Sequence, residues 1–381
     1  MIGLELSPRL MLTQVVSPVD LDWQECLNTI PHDFYHLPGY LELEAHRQNA
    51  TAEAIVIRNG AEVFFLPYLI RECDRHGDID KSDRDRIYDV ISPYGYPGML
   101  VSSAGQNPIF IKKCLTLIYD YWQQQHICSA FIRLHPILNS YIDSSMFASD
   151  IAVENNDLKT NLSPRGNVVV CDLTNDLDRI CKQIRSSHRT KISKLRRSGF
   201  TVRMVPADKY LDIFIGIYLE TMSRVNASKI YYFTKDYFEK LVQVLGDRLA
   251  LCVVEIDNEV IAASLITEVS GIVQYHLGGT TTQYLPQSPT IIMFDYIIRW
   301  AKERNNHYLN LGGGLGGHQD SLYHFKSGFS DRVKSFATIE TIVDRAIYNR
   351  LTHSRAEVLG ITPLEIQATS FFPSYRAYQH G

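Results

Sequence analysis

The sequence predicts an α/β protein made of two domains in tandem, each a mixed, largely antiparallel sheet flanked by helices. The chain has 381 residues, which exceeds the usual size of a single hydrophobic core and favours two domains. Helix-like and strand-like patterns alternate along it, with a β-hairpin signal in each half. A content of 45% apolar and 21% charged residues suits a folded globular chain and argues against a disordered one.

The first half predicts one α/β domain, residues 1–165. A helical pattern over 38–48 is followed by two apolar strands that meet at Asn59-Gly60, a dipeptide typical of tight hairpin turns. Residues 74–86 mix both signs of charge without an apolar period, which predicts a solvated loop. A later apolar helix and the strand SAFIRLHPI complete the domain, and the polar string NNDLKTNLSPRGN marks its end.

The second half predicts another α/β domain, residues 166–381. After the strand NVVVCDL, the pattern predicts one long helix that stops at Gly199, two further helices, and a hairpin that turns at Asp257-Asn258. The strand IVQYHLGGT continues the meander, and a helix crosses over to the strand HYLNL, a glycine-rich turn, a short helix and a last strand. This order differs from that of a Rossmann domain.

Several function classes are disfavoured by the sequence. No run approaches the roughly 20 apolar residues of a membrane helix, and the start lacks the features of an export signal, so we expect a cytoplasmic protein without membrane insertion. The seven cysteines are scattered without C-x-x-C pairs, and no His/Cys/Asp spacing is typical of a metal site. The glycine-rich turn fits neither the dinucleotide motif nor the P-loop. We therefore predict no metal and no bound cofactor.

Five strings in order along the chain carry a family resemblance. They are SPYGYPG, RSSHRTKISKLRRSGFTV, the strand segment EVIAASLITEVSGIVQYHLGG, the crossover IIMFDYIIRWAKERNNHYLNLGGG and DSLYHFKSGFS, and they lie within residues 34–339. Their order and spacing resemble the Fem-like, tRNA-dependent aminoacyltransferase branch of the GNAT acyltransferase superfamily. The resemblance implies two GNAT-like domains in tandem, with the catalytic cleft at the second. It also implies transfer of an aminoacyl group from aminoacyl-tRNA onto an amine, although some relatives are thought to use acyl-CoA.

A basic segment predicts a phosphate-binding surface. Between residues 179 and 207 there are nine Lys or Arg residues and no Asp or Glu, in a chain whose net charge is −4. Apolar residues repeat there at helical intervals, so one stripe can pack while the cations face solvent. Such a face attracts phosphate-rich partners through a salt-sensitive term; the alternative is an ordinary solvated helix face. The substrate-binding candidates are Arg185, Arg189, Lys191, Arg196 and Arg197.

The string DSLYHFKSGF contains the catalytic candidates, Phe325 and Lys326. Negative charge develops on the carbonyl oxygen when an amine attacks an ester, and a fixed cation that meets this charge lowers the barrier. The resemblance implies that Lys326 stabilises this transition state and that Phe325 helps to place the terminal adenosine of the donor. The alternative is that Phe325 and Phe329 are core residues and that Lys326 points outward.

The remaining substrate-binding candidates have weaker signals. Tyr94 and Tyr96 in SPYGYPG are predicted to line a cleft, with a rigid structural turn as the equal alternative. His276 is a candidate for relaying the proton of the amine, although a lone strand histidine is more often structural. Gly313 and Gly314 allow backbone amides to approach a ligand closely. The general base is left unassigned.

We therefore predict an N-acyltransferase that moves an aminoacyl group from aminoacyl-tRNA to an amine of a small-molecule, peptide or cell-wall-precursor acceptor. One alternative is an acyl-CoA-dependent GNAT N-acetyltransferase that acts on a small amine or amino sugar. Against it, the string QYLPQSPTIIM stands where the glycine-rich pyrophosphate loop of CoA-dependent relatives is expected. The other alternative is a non-catalytic module that binds RNA or phosphate.

Overall fold

The computed structural model describes residues 11–73, 86–146, 159–369 and 371–377. The predicted charged loop at 74–86 lies outside these ranges except for Arg86. The chain forms two units: an outer unit, built from the described residues up to Pro164 and from Phe336 onward, and an inner unit, Arg165–Ser335. Within the described ranges, no helix has the length and apolar character that a membrane crossing requires. Each unit is a mixed α/β structure, so the predicted fold class is confirmed.

The outer unit is a sheet with helices packed on it. Its elements are β1 (Leu12–Val16), α1 (Leu21–Thr29), α2 (Pro38–Gln48), β2 (Thr51–Asn59), β3 (Glu62–Glu72), β4 (Tyr88–Ile91), β5 (Leu100–Val101), α3 (Pro108–Gln124), β6 (Ile127–Arg133), the last part of β13 (Val333–Ile342), α10 (Arg345–Leu359) and α11 (Pro363–Ala368). The strand order is β1-β2-β3-β4-β6-β13, with β5 on β3. All neighbours are antiparallel except β4 and β6. The predicted hairpin joins β2 to β3, but its turn is shifted by one residue to Gly60 and Ala61, because Asn59 pairs with Glu62.

The C-terminal residues belong to the outer unit, whereas the sequence analysis assigned all of 166–381 to one domain. The strand β13 lies antiparallel to β6, with Thr338 opposite Arg133. The hydroxyls of Tyr375 and Ser129 lie 2.7 Å apart as a buried hydrogen-bonded pair. The structure thus corrects the predicted division. A strand pattern does not reveal which sheet a returning strand will join, because that choice depends on contacts distant in sequence.

The inner unit contains β7 (Lys159–Asp172), which begins in the outer unit, and the helices and strands that follow it. They are α4 (Leu177–Gln183), α5 (Ser186–Arg197), β8 (Thr201–Val205), α6 (Ala207–Arg224), α7 (Lys235–Leu245), β9 (Leu249–Ile256), β10 (Glu259–Val269), β11 (Ile272–Thr280) and α8 (Thr290–Glu303). The chain then continues through β12 (Tyr308–Gly312) and α9 (Ser321–Lys326). The strand order is β7-β12-β11-β10-β9-β8.

One face of the inner sheet packs on α5 and α8. Leu309 and Leu311 of β12 are fully buried in a core with Ile192 of α5 and Ile297 of α8. Side chains alternate along a strand, so this face takes every second residue. Burial of apolar side chains between sheet and helices fixes the position of α5 on the unit.

The long helix predicted to end at Gly199 is interrupted. Ile184 has an extended backbone between α4 and α5, and the amide of Arg185 donates to the carbonyl of Gly328 at 2.7 Å. This bond uses an amide that a continuous helix would pair internally. The break therefore follows from a contact with a residue far along the chain, which no local pattern predicts.

The parallel strands β11 and β12 diverge. Their pairing extends only from Ile272–Gln274 against Tyr308–Asn310, although β11 continues to Thr280 and β12 to Gly312. The register between β10 and β11 shifts at Leu265/Ile266, which leaves His276 as the extra residue of a bulge. We call the gap beyond Gln274 and Asn310 the strand opening.

The turn SPYGYPG is tightly packed inside the outer unit. Gly98 has φ of +59°, and a Cβ there would overlap the Asn139 carboxamide and lie 2.7 Å from the His135 amide nitrogen. The Asn139 side chain in turn donates to the carbonyl of Met99 at 2.7 Å. These contacts leave no room for a side chain at residue 98.

We expect Gly98→Ala to destabilise the outer unit by roughly 2–4 kcal/mol, because it adds both overlap and left-handed strain. Gly360 is a matched control in the same unit, since its φ is +68° but nothing lies within 4 Å of an added Cβ. Gly360→Ala should therefore cost only about 1 kcal/mol. Urea unfolding of both variants measures the difference, and equal losses would contradict the packing described here.

Candidate functional site

Lys326 is buried at the strand opening. It is the last residue of α9, and only 7% of its surface is exposed. Its Nζ donates to the carbonyl of Gly313 at 2.8 Å and lies 5.8 Å from the ring centre of Tyr275 on β11. The alternative in which Lys326 points outward therefore does not hold. One ammonium proton is used by Gly313, and a lysine has three.

Burial lowers the pKa of Lys326 to about 8, and the nearby Asp320 opposes this shift. Removal from water disfavours the charged form of a lysine. Even so, a pKa near 8 leaves most of the Lys326 side chains protonated at pH 7. The site thus holds a weakly hydrated cation that can donate hydrogen bonds.

The glycine-rich turn and α9 are held together by Asp320. Its carboxylate accepts from the amides of Leu315 and Tyr323, both at 2.9 Å, and so caps α9. Burial acts to raise the pKa of Asp320, but these backbone hydrogen bonds and the charge of Lys326 lower it overall. The carboxylate stays ionised and fixes the turn whose carbonyl binds Lys326.

Gly313 and Gly314 are required by close packing. A Cβ at Gly313 would overlap the carbonyl of Asn167, and one at Gly314 would overlap the carboxylate of Asp320. The glycines thus let the turn approach β7 and α9 closely. Their established contacts are internal, and the carbonyl of Gly313 is the one that binds Lys326.

Phe325 of α9 lies in an aromatic cluster. Its ring is 5.6 Å from the rings of Phe294 and His188 and 5.7 Å from that of Phe329. Phe329 is fully buried, whereas Phe325 is only partly covered. The core alternative therefore describes Phe329, and Phe325 combines an anchored ring with an accessible edge.

Most of the predicted cations on α5 have partners within the inner unit. Arg189 donates to the carbonyls of Lys182 and Ile184 at the end of α4. The remaining bonds join Lys191 to Ser288 at 2.9 Å, Arg196 to the buried Asp295, and Arg185 to Ser327 at 3.5 Å. Arg197 is exposed, and no described residue forms an ion pair with it. The basic segment is thus partly structural.

Tyr94 and Tyr96 lie in the outer unit. The amide of Tyr94 donates to Glu44 at 3.1 Å, and its carbonyl accepts from the hydroxyl of Tyr40 at 2.7 Å. The ring of Tyr96 packs 5.0 Å from that of Phe336. These contacts are those of the structural turn named as an alternative above. His276, in contrast, is a half-buried residue of the inner unit, at the bulge of β11.

Sequence reasoning missed Asn310, Tyr275 and His188. Asn310 is 1% exposed on β12, and Tyr275 faces Lys326. His188 is 7% exposed on α5, and burial together with the charges of Arg185 and Lys191 lowers its pKa. The signal that the sequence offered for Asn310 was a polar residue inside the apolar string HYLNL. Among the described residues, no group of His, Cys, Asp and Glu side chains is arranged to hold a metal.

The comparisons with known proteins agree with this picture. Residues 182–327 match the family model of an acetyltransferase (GNAT) domain, a range that includes α5, the strand opening and Lys326. No protein of curated function matches the sequence significantly.

Solved structures show the same fold over most of the chain. The structure is similar to that of FemX, with a TM-score of 0.64 and 12% identity over 88% of this chain and 98% of FemX. It is also similar to a conserved protein of unknown function from Bacteroides thetaiotaomicron, with a TM-score of 0.51 and 10% identity over 87% of this chain and 99% of the other. The predicted resemblance to the Fem-like branch is thus confirmed at the level of the fold.

We expect Lys326→Met to stabilise the protein at pH 7. Holding the pKa of Lys326 near 8 instead of 10.5 costs roughly 3 kcal/mol, and losing the bond to Gly313 gives back about 1 kcal/mol of that gain. The cost is fully present below pH 8 and disappears as the pH approaches 10.5, because only the unfolded chain is then protonated. Urea unfolding at pH 7 and at pH 9.5 should show a gain that shrinks.

Lys302 provides the matched control. It donates to the carbonyl of Leu173 at 2.8 Å from a half-exposed position. Lys302→Met should lose stability at both pH values. If Lys326→Met lost as much stability as Lys302→Met, burial of the Lys326 ammonium would not be a cost to the folded protein.

Proposed function

We propose that this chain, whose residues 182–327 form a GNAT domain within a FemX-like fold, is an N-acyltransferase that moves an aminoacyl group from aminoacyl-tRNA to an amine. The observation that carries the proposal is the buried ammonium of Lys326 at the opening between β11 and β12. The acceptor class that we propose is the amine of a small molecule, a peptide or a cell-wall precursor.

Lys326 suits the charge that develops in amide formation. The amine nitrogen attacks the ester carbonyl, a C–N bond forms, and the carbonyl oxygen becomes negative. A proton of Lys326 that Gly313 does not use donates to this oxygen, and low local polarity strengthens the interaction. The ester C–O bond then breaks, and the ribose hydroxyl leaves with the proton that the amine releases. A preorganised donor of this kind lowers the barrier by a few kcal/mol.

Direct transfer fits the thiols of the inner unit. Burial raises the pKa of Cys171 to about 12 and raises that of Cys252 further. Burial also raises the pKa of the half-buried Cys181, although Arg299 opposes this shift. A thiol is a nucleophile only as the thiolate, so none of the three residues suits a covalent acyl intermediate. An ester donor is already activated and needs no such intermediate.

The segment before α8 favours a tRNA ester over acyl-CoA as the donor. No glycine occurs between residues 281 and 303, and Pro286 and Pro289 stand just before α8. Proline has no amide proton, so these positions remove donors that a pyrophosphate would need. The exposed Lys194 and Arg197 on α5 remain for contact with a polyanion.

The acetyltransferase description of the matched family model favours one alternative, acetyl transfer from CoA to a small amine. The discriminating experiment uses total tRNA charged with labelled amino acids, with hydroxylamine and a panel of primary amines as acceptors. We expect enzyme-dependent hydroxamate or amide formation that RNase abolishes and no thiol release from acetyl-CoA. Thiol release from acetyl-CoA with these amines would contradict our proposal and support the CoA-dependent reaction. Salt-sensitive RNA binding without turnover would indicate a binding module.

Turnover should depend on the charge of Lys326. Lys326→Ala should lower kcat by about 10²–10³, as deletion of an oxyanion donor does. In the wild type, turnover should fall as the pH rises through 8, because the ammonium then loses its proton. Lys326→Arg keeps its charge throughout this range and should lose that alkaline fall. Single-turnover rates between pH 6 and 9, corrected for free ester hydrolysis, measure both effects; a wild-type profile in the arginine variant would remove Lys326 from the mechanism.

Two exposed cations should set the salt dependence of tRNA binding. Lys194→Ala and Arg197→Ala should each lower the slope of log K against log salt by about one unit. Arg196 is unsuitable, because its loss would leave Asp295 without one of its two arginine partners. Lys209→Ala, an exposed lysine of α6, is the control and should leave the slope unchanged. If Lys194→Ala and Arg197→Ala left the slope as unchanged as the control does, α5 would be an ordinary solvated helix face without a role in tRNA binding.

A further inference from the structure

Three buried polar side chains form a row across the inner sheet. Thr267 of β10 lies opposite Gln274 of β11, and Gln274 lies opposite Asn310 of β12. Their exposed fractions are 0%, 2% and 1%. We call these residues the polar row.

The polar row faces away from α5 and α8. The residues adjacent to it in sequence, Ile266, Val273 and Leu309, belong to the apolar core that contains those helices. Successive side chains of a strand point to opposite faces, so the row lies on the other side of the sheet. It is therefore separate from the aromatic cluster around Phe325.

Two atoms of the row lack hydrogen-bond partners among the described residues: Oγ1 of Thr267 and Nδ2 of Asn310. A buried donor without a partner destabilises the folded state, so each such group calls for an explanation such as a bound ligand or water. Asn310 is the more informative residue, because it stands at the last paired position before the strand opening.

The orientation of the Asn310 side chain is fixed. Its Oδ1 accepts from the amide of Gly312 at 2.9 Å, and an amide proton requires an oxygen there. The free group is therefore Nδ2, a pure donor, which matches a carbonyl or carboxylate oxygen. Asn310 also lies close to Lys326 in the fold, since a Cβ on the same Gly312 would be 3.2 Å from the Nζ of Lys326.

We propose that Asn310 is a second catalytic donor, which binds the carbonyl oxygen of the acyl group through Nδ2 while Lys326 binds it through Nζ. This inference rests on the proposed acyl transfer. The oxygen that gains charge during amine attack would lie in the strand opening and accept from both, from Asn310 of β12 and from Lys326 of α9. No proton is transferred to or from Asn310, so it leaves the balance of the reaction unchanged.

Thr267 serves as an internal control. It lies two strands from Asn310, about 10 Å away, which is beyond the reach of the same oxygen. Thr267→Val removes an unpartnered hydroxyl of the polar row with little change in volume. We expect this variant to keep kcat within about twofold.

The test uses the transfer assay with total charged tRNA and hydroxylamine. Asn310→Asp keeps an oxygen for the Gly312 amide but removes the donor and places a negative charge beside the reacting oxygen. We expect kcat to fall by about 10²–10³ with KM for charged tRNA changed less than threefold. The alkaline fall set by Lys326 should move to higher pH, because a new carboxylate favours the ammonium.

Asn310→Ala, which adds no charge, covers the case in which the aspartate variant fails to fold, and we expect a loss of about 10–10² in kcat. If the wild type transfers but both folded variants stay within threefold of it, the inference is overturned and the proposed function stands. If the wild type does not transfer, the proposed function itself fails. An equal loss in Thr267→Val would also overturn the inference, because the effect would then belong to the row as a whole.

Discussion

The candidate site is built around a charged lysine that is kept out of water. An ammonium in a protein interior needs oxygen partners, and Lys326 has the carbonyl of Gly313 at 2.8 Å. That carbonyl is available because Asp320 fixes the turn and because glycines at 313 and 314 allow close packing. The turn and the cap of α9 thus place the carbonyl that Lys326 needs, and burial at this position lowers the pKa of Lys326. Burial of this ammonium costs stability, as its lowered pKa indicates, and this cost is the reason for proposing a chemical role for Lys326.

The divergence of β11 and β12 determines what the lysine can do. Pairing stops at Gln274 and Asn310, so the backbone beyond them is free of strand partners on that side. Apolar helices close one face of the sheet, and the polar row lies on the other. Lys326 lies on α9 and Asn310 on β12, and in our proposal a carbonyl oxygen at the opening is held by these two donors, one charged and one neutral.

The basic helix combines two roles that its sequence does not separate. Arg189 and Arg196 stabilise the inner unit, by bonding the end of α4 and by pairing with the buried Asp295. Lys194 and Arg197 remain in solvent and carry the proposed contact with tRNA. Salt screens exposed charges strongly and screens a pair with a buried carboxylate much less. The contacts of Lys194 and Arg197 should therefore weaken more with salt than the ion pair of Arg196 with Asp295.

The sequence by itself determined the features that depend on local chemistry. The predicted turns form at Gly60 and at Asp257-Asn258, which all have positive φ, and the amphipathic periods predicted helices in both units. Strings in order also identified the fold and the candidate lysine. The tertiary structure decided the break at Ile184, the return of β13 to the outer sheet, the burial of Lys326 and the place of Asn310. Each of these depends on a partner far along the chain, and a local pattern contains no information about which distant atom will satisfy a given polar group.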